Sequence, residues 1–302
     1  MEHKKELSYE DLIEKLNEIC EKNDFIRMSY IGNTILSKPI PLIELGNEEA
    51  KKSVLYVSTH HASENVCTSV ILAFIEDYIR SYEALKQTCG INVRYLYKMR
   101  KILIVPMLNP DGVNYRLKGV GENNPIKERV IAYNEGTDFT HWNANARGVD
   151  LNHNYDSGFE EYKKYEKENG ITPGKTKYSG EYPESEPEVQ ALASLIRFYD
   201  SKLLGILTLH SQGEEIYYKS RGECPKNVEI IARHISRMTG YSLNDTEGSA
   251  SFGGLTDWCI EKLQKPSFTI ECGKGVNPLD IGQARQIYLR LRELFFTFPI
   301  LF

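Results

Sequence analysis

The sequence contains no long apolar run and no long run of basic residues. No stretch of about 18 consecutive apolar residues occurs, so we expect no membrane-spanning helix. The formal net charge is −5, from 37 basic and 42 acidic residues, and no basic block stands out. The charge pattern therefore argues against nucleic acid as a partner, and the apolar pattern argues against a membrane.

The sequence also lacks the usual marks of secretion. The lysines near the start of the chain are not followed by the apolar stretch that a secretory signal needs. The cysteines are scattered and form no CxxC pair, which is typical of free thiols rather than of a disulfide framework. We therefore expect a cytoplasmic protein with reduced cysteines. The six are Cys20, Cys67, Cys89, Cys224, Cys259 and Cys272.

What is present is an ordinary globular composition. Hydrophobic residues make up 41% of the 302 residues and charged residues 26%, so there is enough apolar side chain for a substantial core. No internal repeat and no low-complexity linker divides the chain. We therefore predict one domain over residues 1–302.

Strand-like and helix-like segments alternate along most of the chain. Residues 106–182 are different, because they are rich in Asn, Gly, Asp and Tyr and show little periodicity, which is typical of functional surface. The alternation elsewhere predicts an α/β fold with a largely parallel sheet. Helices are predicted at 8–22, 65–87, 184–199, 226–239, 254–264 and 280–296, and strands at 25–31, 40–45, 53–58, 101–106, 203–209 and 266–271.

Side chains suited to metal binding or acid–base chemistry lie at the ends of three predicted strands. They are His61 and Glu64 after the strand at 53–58, His210 after the strand at 203–209, and Glu271 at the end of the strand at 266–271. In open α/β sheets, ligands bind beyond the carboxyl ends of the strands, so these side chains should meet at one edge. Catalytic zinc takes three protein ligands and leaves a position for water, whose proton a nearby carboxylate can take. An H-x-x-E spacing at a turn can place both side chains on one ion.

Each of these residues taken alone has a simpler interpretation. His61 and Glu64 fit a surface turn that leads into a helix, and His210 fits a hydrogen-bonded histidine at a strand end. Glu271 fits a buried ion-pair partner. The hypothesis of a metal site therefore depends on their joint placement.

Six short motifs lie along the chain in a definite order. They are His61–Glu64, Asn109–Gly112, Gly148–Asn152, Leu209–Ser211, Gly253–Trp258 and Phe268–Glu271. In these motifs the chain resembles the zinc carboxypeptidase family, the relatives of carboxypeptidase A, over about residues 8–298. The resemblance implies a mixed, mostly parallel eight-stranded sheet with helices on both faces. It also implies one zinc ion per chain, held by His61, Glu64 and His210, and Glu271 as the general base.

Three departures from the family pattern concern the substrate. Family members have an Arg between two asparagines that binds the free C-terminal carboxylate, whereas this chain has His153 between Asn152 and Asn154. A histidine cannot reproduce the bidentate guanidinium. Asn143 stands where the family has the Arg that polarises the scissile carbonyl, and residues 246–252 contain no counterpart of the family Tyr. These departures argue against ordinary trimming of protein C-termini.

The same departures resemble one branch of the family, the γ-D-glutamyl-diaminopimelate peptidases of bacterial cell-wall turnover. The similar stretches are His210–Tyr217, Gly253–Trp258 and Glu271–Pro278. The resemblance implies a small peptide partner, a muropeptide that is cut between D-glutamate and the diamino acid. The expected substrate-binding residues are Asn143, Arg147, Asn152, His153 and Ser211.

Other charged residues near these motifs have their own interpretations. Arg116, Lys274 and Arg221 are predicted to be solvated surface groups. Glu214 and Glu215 either recognise the amine of a diamino acid or have a structural role after the strand that ends in His210.

Two other functions remain open at this stage. A zinc deacylase or deglutamylase of the same fold would act on N-acyl or γ-glutamyl amino acids, and a catalytically silent protein would bind muropeptides without turnover. The presence of all four predicted site residues argues against the silent protein. The exact peptide and diamino acid, exo- versus endopeptidase action, the oligomeric state, and a lid role for residues 116–146 are not decided by the sequence.

Overall fold

Ten strands and ten α-helices form within residues 5–245 and 252–302, the part of the chain that the computed structural model describes. The strands are β1 (Ile26–Asn33), β2 (Pro39–Leu45), β3 (Lys52–Ser58), β4 (Gln87–Thr88), β5 (Ile91–Asn92), β6 (Arg100–Val105), β7 (Leu203–His210), β8 (Glu215–Tyr217), β9 (Ser242–Asn244) and β10 (Ser267–Glu271). The helices are α1 (Tyr9–Lys22), α2 (Val66–Glu83), α3 (Val93–Met99), α4 (Pro110–Lys118), α5 (Lys127–Asn134), α6 (Phe159–Glu168), α7 (Pro187–Tyr199), α8 (Val228–Thr239), α9 (Leu255–Leu263) and α10 (Ala284–Thr297). Helices separate β3, β6, β7 and β10 along the chain, as an α/β fold requires.

Eight of the strands form one sheet, in the spatial order β1-β2-β6-β3-β7-β10-β8-β9. The pairs β6–β3, β3–β7, β7–β10 and β8–β9 are parallel, whereas β1–β2, β2–β6 and β10–β8 are antiparallel. The predicted mixed, mostly parallel sheet is therefore confirmed. The carboxyl ends of the middle strands lie at one edge, where Ser58 is beside Leu209 and Glu271 is beside His210.

Alternate residues of the central strands pack into two separate cores. In β3, Val54 and Tyr56 contribute to one core, and Leu55 and Val57 contribute to the other. All four side chains are fully buried. Helices α2 and α10 cover the first face of the sheet, and α7 and α9 cover the second. Because both faces are covered, continuous apolar runs such as that of β3 form strands here.

The polar segment that was expected to be irregular contains three helices, α4, α5 and α6. Helix α4 begins with a side-chain cap, since the Asn109 side chain accepts a hydrogen bond of 3.0 Å from Gly112 N and Pro110 takes a first-turn position. Helix α6 buries Phe159 and Tyr162 among mostly polar neighbours. Tertiary contacts stabilise these short helices, which is why the sequence pattern does not indicate them.

Several smaller predictions are corrected by the structure. Helix α2 ends at Glu83 rather than at 87, and α7 begins at Pro187 rather than at 184, because proline favours the first turn of a helix. The helix α3 and the short strands β8 and β9 were not predicted. No helix among the described residues combines the length and the apolar character needed to cross a membrane.

Candidate metal centre and the adjoining cavity

The 3-10 turn Ala62–Glu64 follows β3 and leads into α2. Asn143 holds this turn, because its carbonyl accepts a hydrogen bond from Ala62 N at 3.1 Å and its side-chain oxygen accepts one from Ser63 N at 3.2 Å. The side chain of His61, which precedes the turn, thereby meets the carboxylate at the end of the turn. The H-x-x-E spacing thus brings both side chains to one place.

The three predicted metal ligands lie in one cluster. Nδ1 of His61 lies 2.9 Å from one carboxylate oxygen of Glu64, and Nδ1 of His210 lies 2.9 Å from the other. The ligand atoms all lie within 4.8 Å of one another, so a single ion can contact the three residues. Ser211 N also donates a hydrogen bond of 3.3 Å to Glu64. Glu64 and His210 are buried, whereas His61 is partly exposed.

Asp150 fixes the orientation of the His61 ring. Its Oδ1 lies 2.9 Å from Nε2 of His61 and also accepts a hydrogen bond of 3.2 Å from Asn152 N. Its Oδ2 accepts hydrogen bonds from Thr176 Oγ1 at 3.3 Å and from Lys177 N at 3.0 Å. With the Asp150 carboxylate on Nε2, Nδ1 is the ring nitrogen that faces the other candidate ligands, as is usual for metal-binding histidines. The sequence analysis placed Asp150 in a motif but did not assign it this role.

His60, the residue before His61, is not part of the cluster. Its Nε2 lies 3.0 Å from the hydroxyl of Tyr155, and its ring stacks on that of His210 with a centroid distance of 5.3 Å. Burial lowers the pKa of His60, and the neighbouring histidines His210 and His61 lower it further. A neutral His60 therefore packs against the ring of His210, one of the candidate ligands.

The electrostatics of the cluster favour a bound cation. Burial alone would raise the pKa of Glu64, but His61 and His210 lower it to about 2. Burial alone would lower the pKa of His61, but the carboxylates of Glu64 and Asp150 raise it well above its usual range. Positive charge therefore stabilises these buried carboxylates; the protonated histidines supply it here, and a bound metal ion would supply it instead.

Glu271 lies next to the cluster at the end of β10. It pairs in register with His210 on the parallel strand β7, and Cys272 N donates a hydrogen bond of 2.8 Å to the His210 carbonyl. Burial raises the pKa of Glu271 well above its usual range, and the carboxylate of Glu64 adds to that rise. A dication at the cluster would oppose both effects and favour the carboxylate form of Glu271.

A cavity of about 940 Å³ opens beside Glu271. Strand β10 presents both Thr269 and Glu271 to the cavity, because residues two apart on a strand lie on the same face. Its described lining also includes Asn152, Gly254 and Asp257, together with further basic and acidic side chains. The cavity therefore suits a polar ligand with charges of its own.

Of the five predicted substrate-binding residues, Asn152 alone belongs to the described lining of this cavity. Its side-chain oxygen accepts a hydrogen bond of 3.1 Å from Leu255 N at the start of α9. His153 stacks on Tyr162 with a centroid distance of 4.1 Å, and its Nδ1 lies 2.6 Å from the carbonyl of Phe252. Asn152 is thus held by α9, and His153 is held by Tyr162 of α6 and by Phe252.

The other three predicted residues have protein partners of their own. Asn143 braces the turn after β3, as described above. Arg147 donates hydrogen bonds to the Glu186 carboxylate and to the Ser185 carbonyl, both at 3.1 Å. Ser211 donates a hydrogen bond of 2.8 Å from its hydroxyl to the side-chain oxygen of Asn277.

The prediction that Arg116 is a solvated surface group is wrong. The side chain of Arg116 is only 4% exposed, because it forms an ion pair with Glu6 and donates a hydrogen bond of 3.0 Å to the Ala62 carbonyl. It therefore supports the turn that carries the ligands. Lys274 is exposed as predicted and forms an ion pair of 3.1 Å with Glu214.

The remaining charged candidates also have partners within the protein. Glu215 accepts a hydrogen bond of 2.6 Å from the hydroxyl of Tyr217. Arg221 is partly exposed and forms an ion pair of 3.3 Å with Glu261. The segment without a counterpart of the family Tyr is residues 246–252, and residues 246–251 of it lie outside the described residues.

The comparison with known proteins identifies the family. The sequence model of the family described as zinc carboxypeptidase matches residues 9–289. The chain belongs to the zinc carboxypeptidase family. Gamma-D-glutamyl-L-diamino acid endopeptidase 1 of Lysinibacillus sphaericus is 33% identical over 291 residues, which are 95% of this chain and 70% of that protein. This zinc carboxypeptidase-family chain is accordingly a hydrolase of the metallopeptidase type.

Solved structures show the zinc carboxypeptidase fold as well. Bovine thrombin-activatable fibrinolysis inhibitor, in complex with tick carboxypeptidase inhibitor, has a TM-score of 0.72 at 20% identity, covering 97% of this chain and 96% of that chain. Murein-tripeptide amidase MpaA from Escherichia coli O157 has a TM-score of 0.54 at 19% identity, covering 89% and 91%. At these identities, the likeness shows the fold alone.

Membership of this family implies a bound metal, which is usually zinc. The donor set fits that ion, because two imidazoles and one carboxylate are a common catalytic set for zinc. The contact between His61 and Asp150 also fits zinc, since it directs Nδ1 of His61 toward the other candidate ligands.

Proposed function

We propose that the protein is a zinc-dependent peptidase that hydrolyses the amide bond between the γ-carboxyl of D-glutamate and a diamino acid in peptidoglycan stem peptides. One observation carries this proposal: the candidate ligands and Glu271 lie together in a chain that is 33% identical to an endopeptidase named for that bond. The polar cavity with charges of both signs supports it, because a diamino acid carries both amines and carboxylates.

In this proposal, His61, Glu64 and His210 hold one zinc ion per chain. Bound zinc acts as a Lewis acid and lowers the pKa of a coordinated water toward ~7. Asp150 keeps the His61 ring in the orientation that metal binding needs.

Glu271 is the proposed general base and general acid. As its carboxylate, it removes a proton from the water that attacks the amide carbon. It then delivers that proton to the nitrogen of the diamino acid as the carbon–nitrogen bond breaks, so that D-glutamate keeps a free γ-carboxylate. Asn143, Arg147, Asn152, His153 and Ser211 remain the proposed substrate-binding residues, and Asn152 is the member that lines the cavity.

The proposed compartment is the cytoplasm, where the peptides would come from import or recycling. All six cysteines are free thiols in the structure, which supports a reducing compartment.

The direct test is incubation of the zinc-loaded protein with L-Ala-γ-D-Glu-meso-diaminopimelate, followed by mass spectrometry. We expect release of free diaminopimelate, which a chelator abolishes and added zinc restores. No cleavage by protein with confirmed zinc would refute the proposed substrate. N-acyl and γ-glutamyl amino acids, assayed in parallel, would then test a deacylase or a deglutamylase, and tight peptide binding without turnover would indicate a silent binding protein.

A further inference from the structure

Arg116 of α4 is a buried cation that contacts the ligand turn, residues 61–64. Its Nε donates a hydrogen bond of 3.0 Å to the carbonyl of Ala62, which lies between the two candidate ligands of the turn. The same guanidinium forms an ion pair with Glu6, near the start of the chain. The guanidinium therefore joins the ligand turn to a segment that lies 110 residues away in the sequence.

The same segment makes a second contact, at the other end of the ligand turn. Asn65 directly follows the turn and is fully buried, and its Nδ2 donates a hydrogen bond of 2.8 Å to the carbonyl of Leu7. The Leu7 side chain is buried in the core that α2 and α10 cover. The adjacent residues Glu6 and Leu7 therefore support the turn from both ends.

The segment itself is fixed by α1 and α4. Tyr9 N donates a hydrogen bond of 3.0 Å to the side-chain oxygen of Asn114, which lies on α4 two residues before Arg116. The hydroxyl of Ser8 caps α1, since it accepts a hydrogen bond of 3.3 Å from Asp11 N. These contacts hold the segment in place independently of the ligand turn, so it can act as a fixed support.

The ligand turn needs a support because it is short. A single 3-10 turn has few hydrogen bonds of its own and is marginal in isolation. It carries two of the three candidate ligands, so a shift of its backbone moves both of them relative to His210. Contacts that orient ligands from outside strengthen metal binding, and their loss typically costs about 10- to 100-fold in affinity.

We propose that Glu6, Leu7 and Arg116 form a clamp that fixes the ligand turn and thereby sets the affinity of the site for zinc. They are positioning residues, because they act through the residues beside the ligands rather than on the metal. This inference rests on the proposed function, since it takes the turn to carry two zinc ligands. Without the clamp, zinc binding itself must order the turn, and that ordering reduces the affinity.

The test measures the zinc affinity of Arg116→Met by competition with a chromophoric chelator. This change removes the charge and the hydrogen bonds but keeps a long, unbranched side chain. We expect the Kd for zinc to rise by about 10- to 100-fold. Arg116→Lys should lie between that variant and the wild type, because an ammonium group restores the charge but not the guanidinium geometry. An unchanged Kd in Arg116→Met would overturn the proposal.

Lys118→Met is the matched control. Lys118 is also on α4 and pairs with Glu10 of α1 at 2.6 Å, but the two side chains are 51% and 55% exposed. The clamp predicts a wild-type Kd for Lys118→Met. An equal rise in Kd for both variants would overturn the proposal, because it would show that any loss of charge pairing between these parts of the molecule weakens zinc binding.

Scanning calorimetry of the zinc-free and zinc-loaded proteins separates positioning from folding stability. The clamp predicts that zinc raises the Tm of Arg116→Met by less than it raises that of the wild type. Equal losses of Tm in both forms would show a purely structural role and overturn the proposal. If Arg116→Met does not fold, Glu6→Gln replaces it. We expect its Kd to rise by roughly threefold or more, with Glu10→Gln as the control, and an unchanged Kd would overturn the proposal.

Peptide cleavage separates this inference from the proposed function. If the zinc-loaded wild type cleaves no peptide but Arg116→Met binds zinc more weakly, the proposed substrate is wrong and the clamp stands. If the wild type cleaves the peptide and Arg116→Met keeps the wild-type Kd, the proposed function survives and the clamp is wrong. If His210→Ala leaves the zinc affinity unchanged, the ligand assignment and the clamp are both wrong.

Discussion

The candidate metal cluster and the adjoining cavity satisfy their buried polar groups in different ways. Each carboxylate oxygen of Glu64 has a histidine nitrogen 2.9 Å away, and the second nitrogen of His61 has a carboxylate at the same distance. In the cavity, by contrast, Asp257 keeps an oxygen without any described partner. The protein thus assembles its candidate ligands through contacts of its own, whereas the wall of the cavity contains a buried carboxylate that is only partly paired.

The two regions also belong to different parts of the fold. The cluster lies at the ends of β3 and β7, in the middle of the sheet, whereas β8, β9 and α9 form the wall of the cavity at the sheet edge. Under the proposed function, changes at the edge would alter which substrate is bound without disturbing the candidate ligands. This separation is one physical reason why a single fold can serve several substrates.

The largest loss is expected when the cluster itself is broken. His210→Ala removes one candidate ligand and leaves one oxygen of the buried Glu64 without its closest partner. We expect zinc content to fall to a small fraction of the wild-type value and peptide cleavage to fall below detection. Metal analysis and mass spectrometry measure the two quantities. A variant that kept both zinc and full activity would contradict the ligand assignment.

The next largest loss is expected for Glu271→Gln, which keeps the shape of the side chain but cannot carry the proton. We expect kcat to fall by roughly 10²- to 10⁴-fold while zinc content stays unchanged. Glu18→Gln, on α1 with an exposed side chain, is the control and should keep the wild-type kcat. Full activity in Glu271→Gln with zinc bound would remove the proposed base.

A smaller effect is expected when the support of a ligand is changed. Asp150→Asn leaves all three ligands in place but weakens the orientation of His61. We expect zinc affinity to fall by about 10- to 100-fold, measured by competition with a chromophoric chelator. Asp138→Asn, at an exposed position, should bind zinc as the wild type does. Equal affinity in both variants would show that the ring orientation does not depend on Asp150.

The smallest effect concerns how the stability of the ligand-free protein depends on pH through Asp257 in the cavity. Because burial raises the pKa of Asp257 to about 8, the folded protein holds a proton there that the unfolded chain loses above about pH 4. That contribution to stability is present at low pH and is lost as the pH rises toward 8.

Asp257→Asn removes this dependence, so its Tm relative to that of the wild type should rise by roughly 5 to 10 °C between pH 5 and pH 8.5. Scanning calorimetry measures the difference. Burial also raises the pKa of Glu188 to about 8, but that contribution is common to both proteins and cancels. A Tm difference that is independent of pH would contradict the shifted pKa of Asp257.

Much of the sheet and of the candidate site was predictable from local sequence patterns. Apolar runs such as that of β3 predicted buried strands, and the H-x-x-E spacing placed His61 and Glu64 at one turn. The helices of residues 106–182 were not predictable, since their cores consist of a few apolar side chains that reach distant elements. The burial of Arg116 was missed for a similar reason, because its partner Glu6 lies 110 residues away in the chain.

The sequence by itself determined which side chains could bind a metal and that they would come from strand ends, because strand periodicity and short spacings are local properties. Only the tertiary structure decided that β6 lies between β2 and β3, that Asp150 contacts His61 across 89 residues, and that Asp257 faces the cavity beside Glu271. Such contacts depend on how whole elements pack, since a buried polar group finds its partner, or lacks one, only after the cores on both faces of the sheet have formed.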